Sequence, residues 1–221
     1  MKNFFFAKKH NKRKQQYMKE CFRELQTNLS YQLGNSKKNI IVVSSANKSE
    51  GKSYCSLQIA LAFGESGKRV LLVDLDLYRS RLSNDLANNF AGITSIYFEG
   101  QKSDECIVEL NKNVSFLPSG LKTINPTEII NSSCVEKVIY AAAENFDVVL
   151  IDAPPIRGVA DTKNIVKKFN NILFVVRANK TKTHEVEEAF EKIKIVNPNI
   201  MGMVLNMKKM SNREIQTYVY E

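Results

Sequence analysis

Hydrophobic positions along the chain fall into two alternating patterns. Short, unbroken apolar runs rich in β-branched residues occur at Ile40–Val43, Arg69–Asp74, Phe146–Asp152, Asn171–Arg177 and Met201–Asn206. They lack polar alternation, as strands covered on both faces do. Between them the apolar residues recur at helical spacing. Tyr17, Met18, Cys21, Phe22, Leu25 and Leu29 predict a helix over 15–33, and Leu57, Ile59, Ala60, Ala62 and Phe63 predict one after Gly51. Further helices are expected near 81–88, from Pro126, and over 134–144, 161–169 and 184–196, with one more short strand over 114–117 closed by Pro118-Ser-Gly120. Strands alternating with helices predict an α/β fold: a doubly wound, mainly parallel sheet flanked by helices, of the P-loop NTPase type. Ligands of such sheets bind at the carboxyl ends of the strands.

One segment places chemistry at such an end. The first strand runs through a polar loop, Ser44 to Glu50, into Gly51-Lys52-Ser53 and then the helical pattern that Gly64 and Gly67 end. Strand, loop, Gly-Lys-Ser and helix is the context of a phosphate-binding loop. Backbone N–H groups around Gly51 can face a polyphosphate at the helix N-terminus, Lys52 adds a charge on the outer phosphates, and Ser53 offers a hydroxyl to Mg²⁺. The expected nucleotide-binding residues are therefore Asn47, Lys48, Ser49, Glu50, Gly51, Lys52, Ser53 and Tyr54. Ala46 stands in the first glycine position of G-x-x-x-x-G-K-[ST], so the pattern is incomplete.

Three acids fall at strand ends on the same side: Asp74 and Asp76 after the second strand and Asp152 after the strong run at 146–152. Asp152 is placed like a Walker B acid. Mg²⁺ needs only one or two carboxylates besides the phosphates. Asp74 and Asp76 are expected to point to the same side by the period of two. One would hold a metal-bound water while the other orients or deprotonates an incoming hydroxyl.

Composition narrows the class. The chain has 221 residues, 43% hydrophobic and 25% charged, consistent with one soluble globular domain. No apolar run approaches the length of a membrane-spanning helix, and Phe4-Phe5-Phe6 is too short for a secretory signal, so a cytoplasmic location is expected. Cys21, Cys55, Cys106 and Cys134 are too scattered for a zinc site and are read as reduced thiols. The net charge of +9 is concentrated: residues 1–19 carry seven Lys and Arg and no acid, which leaves +2 for the rest. A basic arm tipped with phenylalanines suits an anionic membrane surface. Nucleic acid or plain solvent would also suit it. The expected division is a basic flexible arm over 1–14, a P-loop domain over 15–210 that includes the N-terminal helix, and a tyrosine-containing tail over 211–221.

With these motifs in view, the chain resembles the cytoplasmic kinase of the bacterial tyrosine kinase (BY-kinase) family of capsule and exopolysaccharide synthesis. Ser45-Ala-Asn-Lys-Ser-Glu50-Gly51-Lys52-Ser53 resembles its Walker A loop, Val70-Leu-Leu-Val-Asp74-Leu-Asp76 its Walker A′ strand, and Val149-Leu-Ile-Asp152-Ala-Pro-Pro155 its Walker B strand. Glu20-Cys-Phe-Arg23 with Thr27-Asn28 resembles its N-terminal oligomerisation motif, and Asp161, Val175–Thr181 and Val204–Asn206 fit as well. The resemblance departs at Lys48-Ser49, where Pro-Gly is usual, at Gln26 and Tyr78, each in place of an arginine, and in a tail with only two tyrosines.

The resemblance implies ATP- and Mg²⁺-dependent autophosphorylation on a C-terminal tyrosine cluster, here Tyr218 and Tyr220, between subunits of a homo-oligomer built through Glu20 and Arg23. It implies Lys52 on the β/γ-phosphates, Mg²⁺ held by Ser53, Asp76 and Asp152, Asp74 as the preferred activator of the tyrosine hydroxyl with Asp76 as its substitute, and Asn206 near the adenine. It also implies activation by the cytoplasmic tail of a membrane-embedded chain-length regulator, hence a place at the inner face of the membrane. Two alternatives stay open on the sequence: a catalytically weak nucleotide-binding scaffold of the same machinery, and a partitioning-type P-loop ATPase. The latter places a signature lysine where this chain has Asn47.

Overall fold

A computed structural model describes residues 12–34, 39–87 and 90–211, with Arg13 described by its backbone alone. The basic segment 1–11 and the tail bearing Tyr218 and Tyr220 lie outside the described residues.

Among the described residues the chain forms one seven-stranded sheet in the order β3-β4-β2-β5-β1-β6-β7. The strands are β1 (Ile40–Ser45), β2 (Val70–Asp74), β3 (Val108–Asn111), β4 (Val114–Leu117), β5 (Val148–Asp152), β6 (Asn171–Arg177) and β7 (Asn199–Asn206). All pairings are parallel except β3 with β4, a hairpin at one edge. The apolar runs became the central strands β1, β2 and β5, every residue of which is buried. The expected doubly wound α/β architecture is the observed one.

Alternation along these strands sorts the core into two halves. Ile41, Val43, Val70, Leu72, Val148 and Leu150 pack under α1 (Lys12–Leu33), α2 (Lys52–Glu65) and α3 (Arg81–Leu86). Ile40, Val42, Leu71, Val73, Val149 and Ile151 pack on the other face. That face is covered by α4 (Ile93–Glu99), α5 (Ser103–Cys106), α6 (Pro126–Asn131), α7 (Ser133–Asn145), α8 (Asp161–Phe169) and α9 (Thr183–Lys194). The two faces together hold the sheet by burial worth about 1.5–3 kcal/mol per large apolar side chain.

The register has a direct consequence for the site. Asp74 pairs with Asp152 across β2–β5, and Asp152 with Val43 across β5–β1. Counting by twos, both acids continue the rows that face α2. They therefore emerge at the carboxyl edge beneath the helix that begins at Lys52.

Some elements differ from expectation. α1 starts at Lys12, three residues before the predicted start and inside the segment read as a flexible arm. Val108–Asn111 is a strand that the apolar runs did not announce, because it alternates half-buried and exposed positions at the sheet edge. The stretch after α3 contains two short helices, α4 and α5, where no regular element was expected.

Candidate functional site

Glycine opens the site. Gly51 takes φ +88°, ψ +21°, the left-handed conformation, and caps α2. A Cβ there would stand 2.1 Å from Asn206 Nδ2, which donates to the Glu50 carbonyl at 2.9 Å. Both backbone angle and space thus require glycine. Gly51→Ala is expected to lose about 2 kcal/mol of stability from the strained φ and the displaced Asn206 bond, read as a lower melting temperature, and to weaken ATP binding in a titration.

Directly after it, Lys52 turns inward. Its Nζ donates to Asp76 Oδ2 at 2.8 Å and to Asp152 Oδ2 at 3.4 Å, and lies 3.4 Å from Ser53 Oγ. Lys52 is 9% exposed, Asp76 2% and Asp152 0%. Ser56, one helical turn after Lys52, places its Oγ 3.1 Å from Asp152 Oδ1 and 3.0 Å from the Lys52 carbonyl. Three carboxylates surround this one ammonium. The neighbouring carboxylates hold the proton on Lys52, while burial is the main cause that raises the carboxyl groups. Burial opposes the charge of Lys52, but Asp152 and then Asp76 outweigh it and hold the ammonium above its ordinary value. Burial raises Asp152 against the pull of Lys52. Asp74, fully buried, is pushed up to about 7 by burial and then by Asp152.

Asp74 and Asp76 do different things. Asp74 accepts three hydrogen bonds, from the Asp76 N–H at 3.1 Å and from the Ser83 N–H and Oγ at 3.0 and 2.8 Å. Ser83 in turn accepts from the Ser119 N–H at 2.8 Å. Asp76 lies beyond the last residue of β2, so the strand period no longer governs it. Its Oδ2 meets Lys52 while its buried Oδ1 has no hydrogen-bond partner. The expectation that the two acids point alike is not met: their side chains have different partners. Asp74 is enclosed and satisfied, and Asp76 carries the free oxygen.

Beside Asp76 a cavity of about 480 Å³ opens, lined by Lys48, Tyr78, Arg79, Thr127 and Asp161 among others. Tyr78 donates to Asp161 Oδ2 at 2.5 Å, and Thr127 Oγ1 donates to the same oxygen at 2.9 Å. This is where Asp161 serves: it ties α8 to α6 and to the turn after Asp76.

The remaining predicted residues divide. Lys48, Ser49, Glu50 and Ser53 lie on the loop around Lys52, and Asn206 lies against it from β7. The Tyr54 side chain does not reach it. It packs edge-on against Phe22 of α1, ring centroids 6.1 Å apart, and lines the groove between α1 and α2. Only its backbone N–H belongs to the first turn of the helix. Asn47 turns its side chain to neighbouring protein groups, Arg157 and Glu50. Glu20 and Arg23 pair with each other at 2.6 Å, and Arg23 also reaches Glu65 of α2 at 3.3 Å. Sequence reading missed Ser56, Ser83, Ser119 and Arg157. Ser56 had a signal, its i+4 spacing from Lys52. The others had none in local spacing.

Comparison with known proteins places this arrangement. The model of a family described as the AAA domain matches residues 26–207, most of the chain. The chain belongs to the AAA domain family. It is similar to the tyrosine-protein kinase YwqD of Bacillus subtilis, 27% identical over 201 residues covering 90% of this chain and 85% of that protein. It is likewise similar to the tyrosine-protein kinase CpsD of Streptococcus agalactiae, 29% identical over 202 residues, with 90% and 85% covered. Among solved structures, the chimerical protein CapA2B2 superposes with a TM-score of 0.79 at 27% identity, over 86% of this chain and 85% of that one. The resemblance to bacterial tyrosine kinases read from the motifs is borne out.

Proposed function

We propose that the chain is an ATP-dependent protein-tyrosine kinase that phosphorylates its own C-terminal tyrosines within a machinery for capsular or exopolysaccharide synthesis. The observation that carries this reading is the buried Lys52–Asp76–Asp152 cluster beneath the N-terminus of α2, with an unpartnered Asp76 oxygen beside an open cavity. The names of the similar kinases support the choice of tyrosine as acceptor.

The first-turn N–H groups of α2 lack partners within the helix and take the phosphates, with the helix dipole behind them. Lys52 leaves the carboxylates far enough to meet the β/γ-phosphates and balances the charge that develops on transfer. Asp76 Oδ1, an orphaned buried oxygen, with Asp152 and the Ser53 hydroxyl, fits the oxygen-only ligand set of Mg²⁺. When bound with the nucleotide, Mg²⁺ would draw charge off the phosphates. Asn206 holds the loop from β7, across β1 from β2, and would lie near the adenine. The acceptor phenol enters from the opposite side, through the cavity beside Asp76, and Asp76 orients its hydroxyl. Asp74 holds the Asp76 backbone in place. The phenol oxygen attacks the γ-phosphorus, the bond to the β–γ bridging oxygen breaks, ADP leaves, and the phenol proton passes to a carboxylate or to solvent.

The acceptors are Tyr218 and Tyr220. The double variant Tyr218→Phe/Tyr220→Phe is expected to retain ATP binding and lose nearly all phosphotyrosine, read by mass spectrometry after incubation with ATP and Mg²⁺. Undiminished phosphotyrosine elsewhere on the chain would contradict the tail as acceptor. The partner is the cytoplasmic tail of a membrane-embedded chain-length regulator, and the chain works at the inner membrane face, with its basic N-terminal segment toward anionic lipid. Among the described residues no helix is long and apolar enough to cross a membrane. Glu20 and Arg23, near the surface of α1, contribute to assembly of the homo-oligomer.

A further inference from the structure

The phosphate-binding loop is held by more than its own hydrogen bonds. Between Ser45 and Gly51 it contains neither glycine nor proline. Ser49 nevertheless adopts φ +64°, a conformation that costs an ordinary L-residue about 1 kcal/mol. Something outside the loop must therefore fix it.

Three ties do so. Asn206 holds the Glu50 carbonyl from β7. The buried Glu50 carboxylate accepts from the Asn47 N–H at 3.1 Å and from the Thr181 hydroxyl at the entry to α9. The third tie is Arg157, on the connection from β5 to α8. Its Nη1 donates to Asn47 Oδ1 at 2.8 Å and to Glu185 Oε1 at 2.7 Å, and its Nε donates to Glu188 Oε2 at 2.9 Å. Its backbone N–H also donates to the Ala46 carbonyl at 3.2 Å. Glu185 is itself fixed, because its other oxygen accepts from the Lys182 N–H at 2.9 Å and caps α9.

The result is one polar chain from α9 through Arg157 and Asn47 to Glu50. The planar guanidinium is oriented by two carboxylates before it reaches the loop, and a fork fixed in this way loses little freedom on making the third contact. Asn47 is the joint. Its oxygen faces Arg157 and its amide nitrogen faces Glu50 at 3.4 Å. None of these groups touches Lys52, Asp76 or Asp152.

We infer that Arg157 is a positioning residue for nucleotide binding: through Asn47 it sets the curvature of the phosphate-binding loop, so that the loop meets ATP already shaped. This rests on the nucleotide-binding reading above and goes beyond it by assigning the residue that pre-shapes the loop. Arg157 bonds Asn47, Glu185 and Glu188 and none of Lys52, Asp76 and Asp152, so its removal is expected to act on ATP affinity rather than on the transfer step.

The test is a titration of the purified full chain with a fluorescent ATP analogue and Mg²⁺, together with the ATP dependence of phosphotyrosine formation. Arg157→Ala is expected to weaken binding and raise KM for ATP about 10-fold, the scale of one lost hydrogen bond to a charged group, with kcat within about twofold of wild type. Arg157→Lys, which keeps the charge but not the fork, should recover part of the affinity. Because Arg157 acts through Asn47, the Arg157→Ala/Asn47→Ala double variant should bind no more weakly than the weaker single variant. Wild-type affinity in Arg157→Ala, whatever its melting temperature, would overturn the inference and leave the kinase reading intact, as would strictly additive losses in the double variant. Failure of the wild-type chain to bind the analogue would overturn the nucleotide reading itself.

Discussion

Lys52→Ala is expected to abolish phosphotyrosine formation, by about 10²–10³-fold or more, and to lower stability at the same time. The two effects have one origin. Nζ is the only cation hydrogen-bonded to Asp76 and Asp152 among the described residues, and its side chain is 11% exposed. Removing it leaves buried carboxylates without compensation, a change that typically costs about 3–5 kcal/mol. For a chain of this size that is about 6–20 °C in melting temperature. The sign of the pH dependence follows. Without Lys52 the folded-state pKa values of Asp74 and Asp152, already raised by burial, rise further above their unfolded values. The missing stability is therefore largest at high pH and is regained as pH falls through those raised values and the acids take up protons. Melting curves of wild type and Lys52→Ala should diverge at pH 8 and approach each other near pH 5. A gap of constant size across this range would mean that the acids are not the cause.

The second large effect separates the neighbouring acids. Asp76→Asn is expected to reduce the rate of tyrosine phosphorylation by about 10³-fold, the scale of losing a group proposed both to orient the acceptor and to hold Mg²⁺, with the fold retained. Its Oδ1 is one of three buried side-chain oxygens without a hydrogen-bond partner among the described residues, and Asp76 lines the cavity. Asp74→Asn acts differently. Asp74 hydrogen-bonds to Ser83 and to the Asp76 N–H and does not itself line the cavity. It should lower stability, because an amide cannot accept all three hydrogen bonds as a carboxylate does, and slow transfer only about 10-fold through the shift of Asp76. Single-turnover rates with saturating ATP, beside melting temperatures, check both. Equal losses of rate in the two variants would contradict the division of labour.

Much of this site could be read from the chain because its parts are local. Gly51-Lys52-Ser53 is contiguous, and the apolar runs that end in Asp74 and Asp152 are unmistakable as strands buried on both faces. Parallel neighbours in such a sheet then bring their ends together, as the pairing of Asp74 with Asp152 shows. What was not legible depends on side-chain direction after a strand ends, or on contacts remote in sequence. The alternation that relates Leu72 to Asp74 stops at Asp74, so it could not say that Asp76 would face Lys52 while Asp74 faced Ser83. Ser119 meets Ser83 across 36 residues and Arg157 meets Asn47 across 110. No periodicity announces either. Tyr54 was placed by its neighbours in sequence. The helix that begins at Lys52 turns its side chain toward Phe22 instead. The strand at 108–111 carried a signal of period two, but over four residues with Glu109 and Asn111 exposed it was too short and polar to stand out.

The most direct test of the account follows the γ-phosphate of ATP on the purified wild-type chain, with and without Mg²⁺ and with and without the cytoplasmic tail of the proposed regulator, measuring phosphotyrosine and free phosphate together. The account predicts phosphotyrosine on the chain that appears with Mg²⁺ and is absent from Lys52→Ala. ATP turned over to free phosphate at an undiminished rate, with no phosphotyrosine on the chain or on an added tyrosyl peptide, would contradict it and assign the site to hydrolysis.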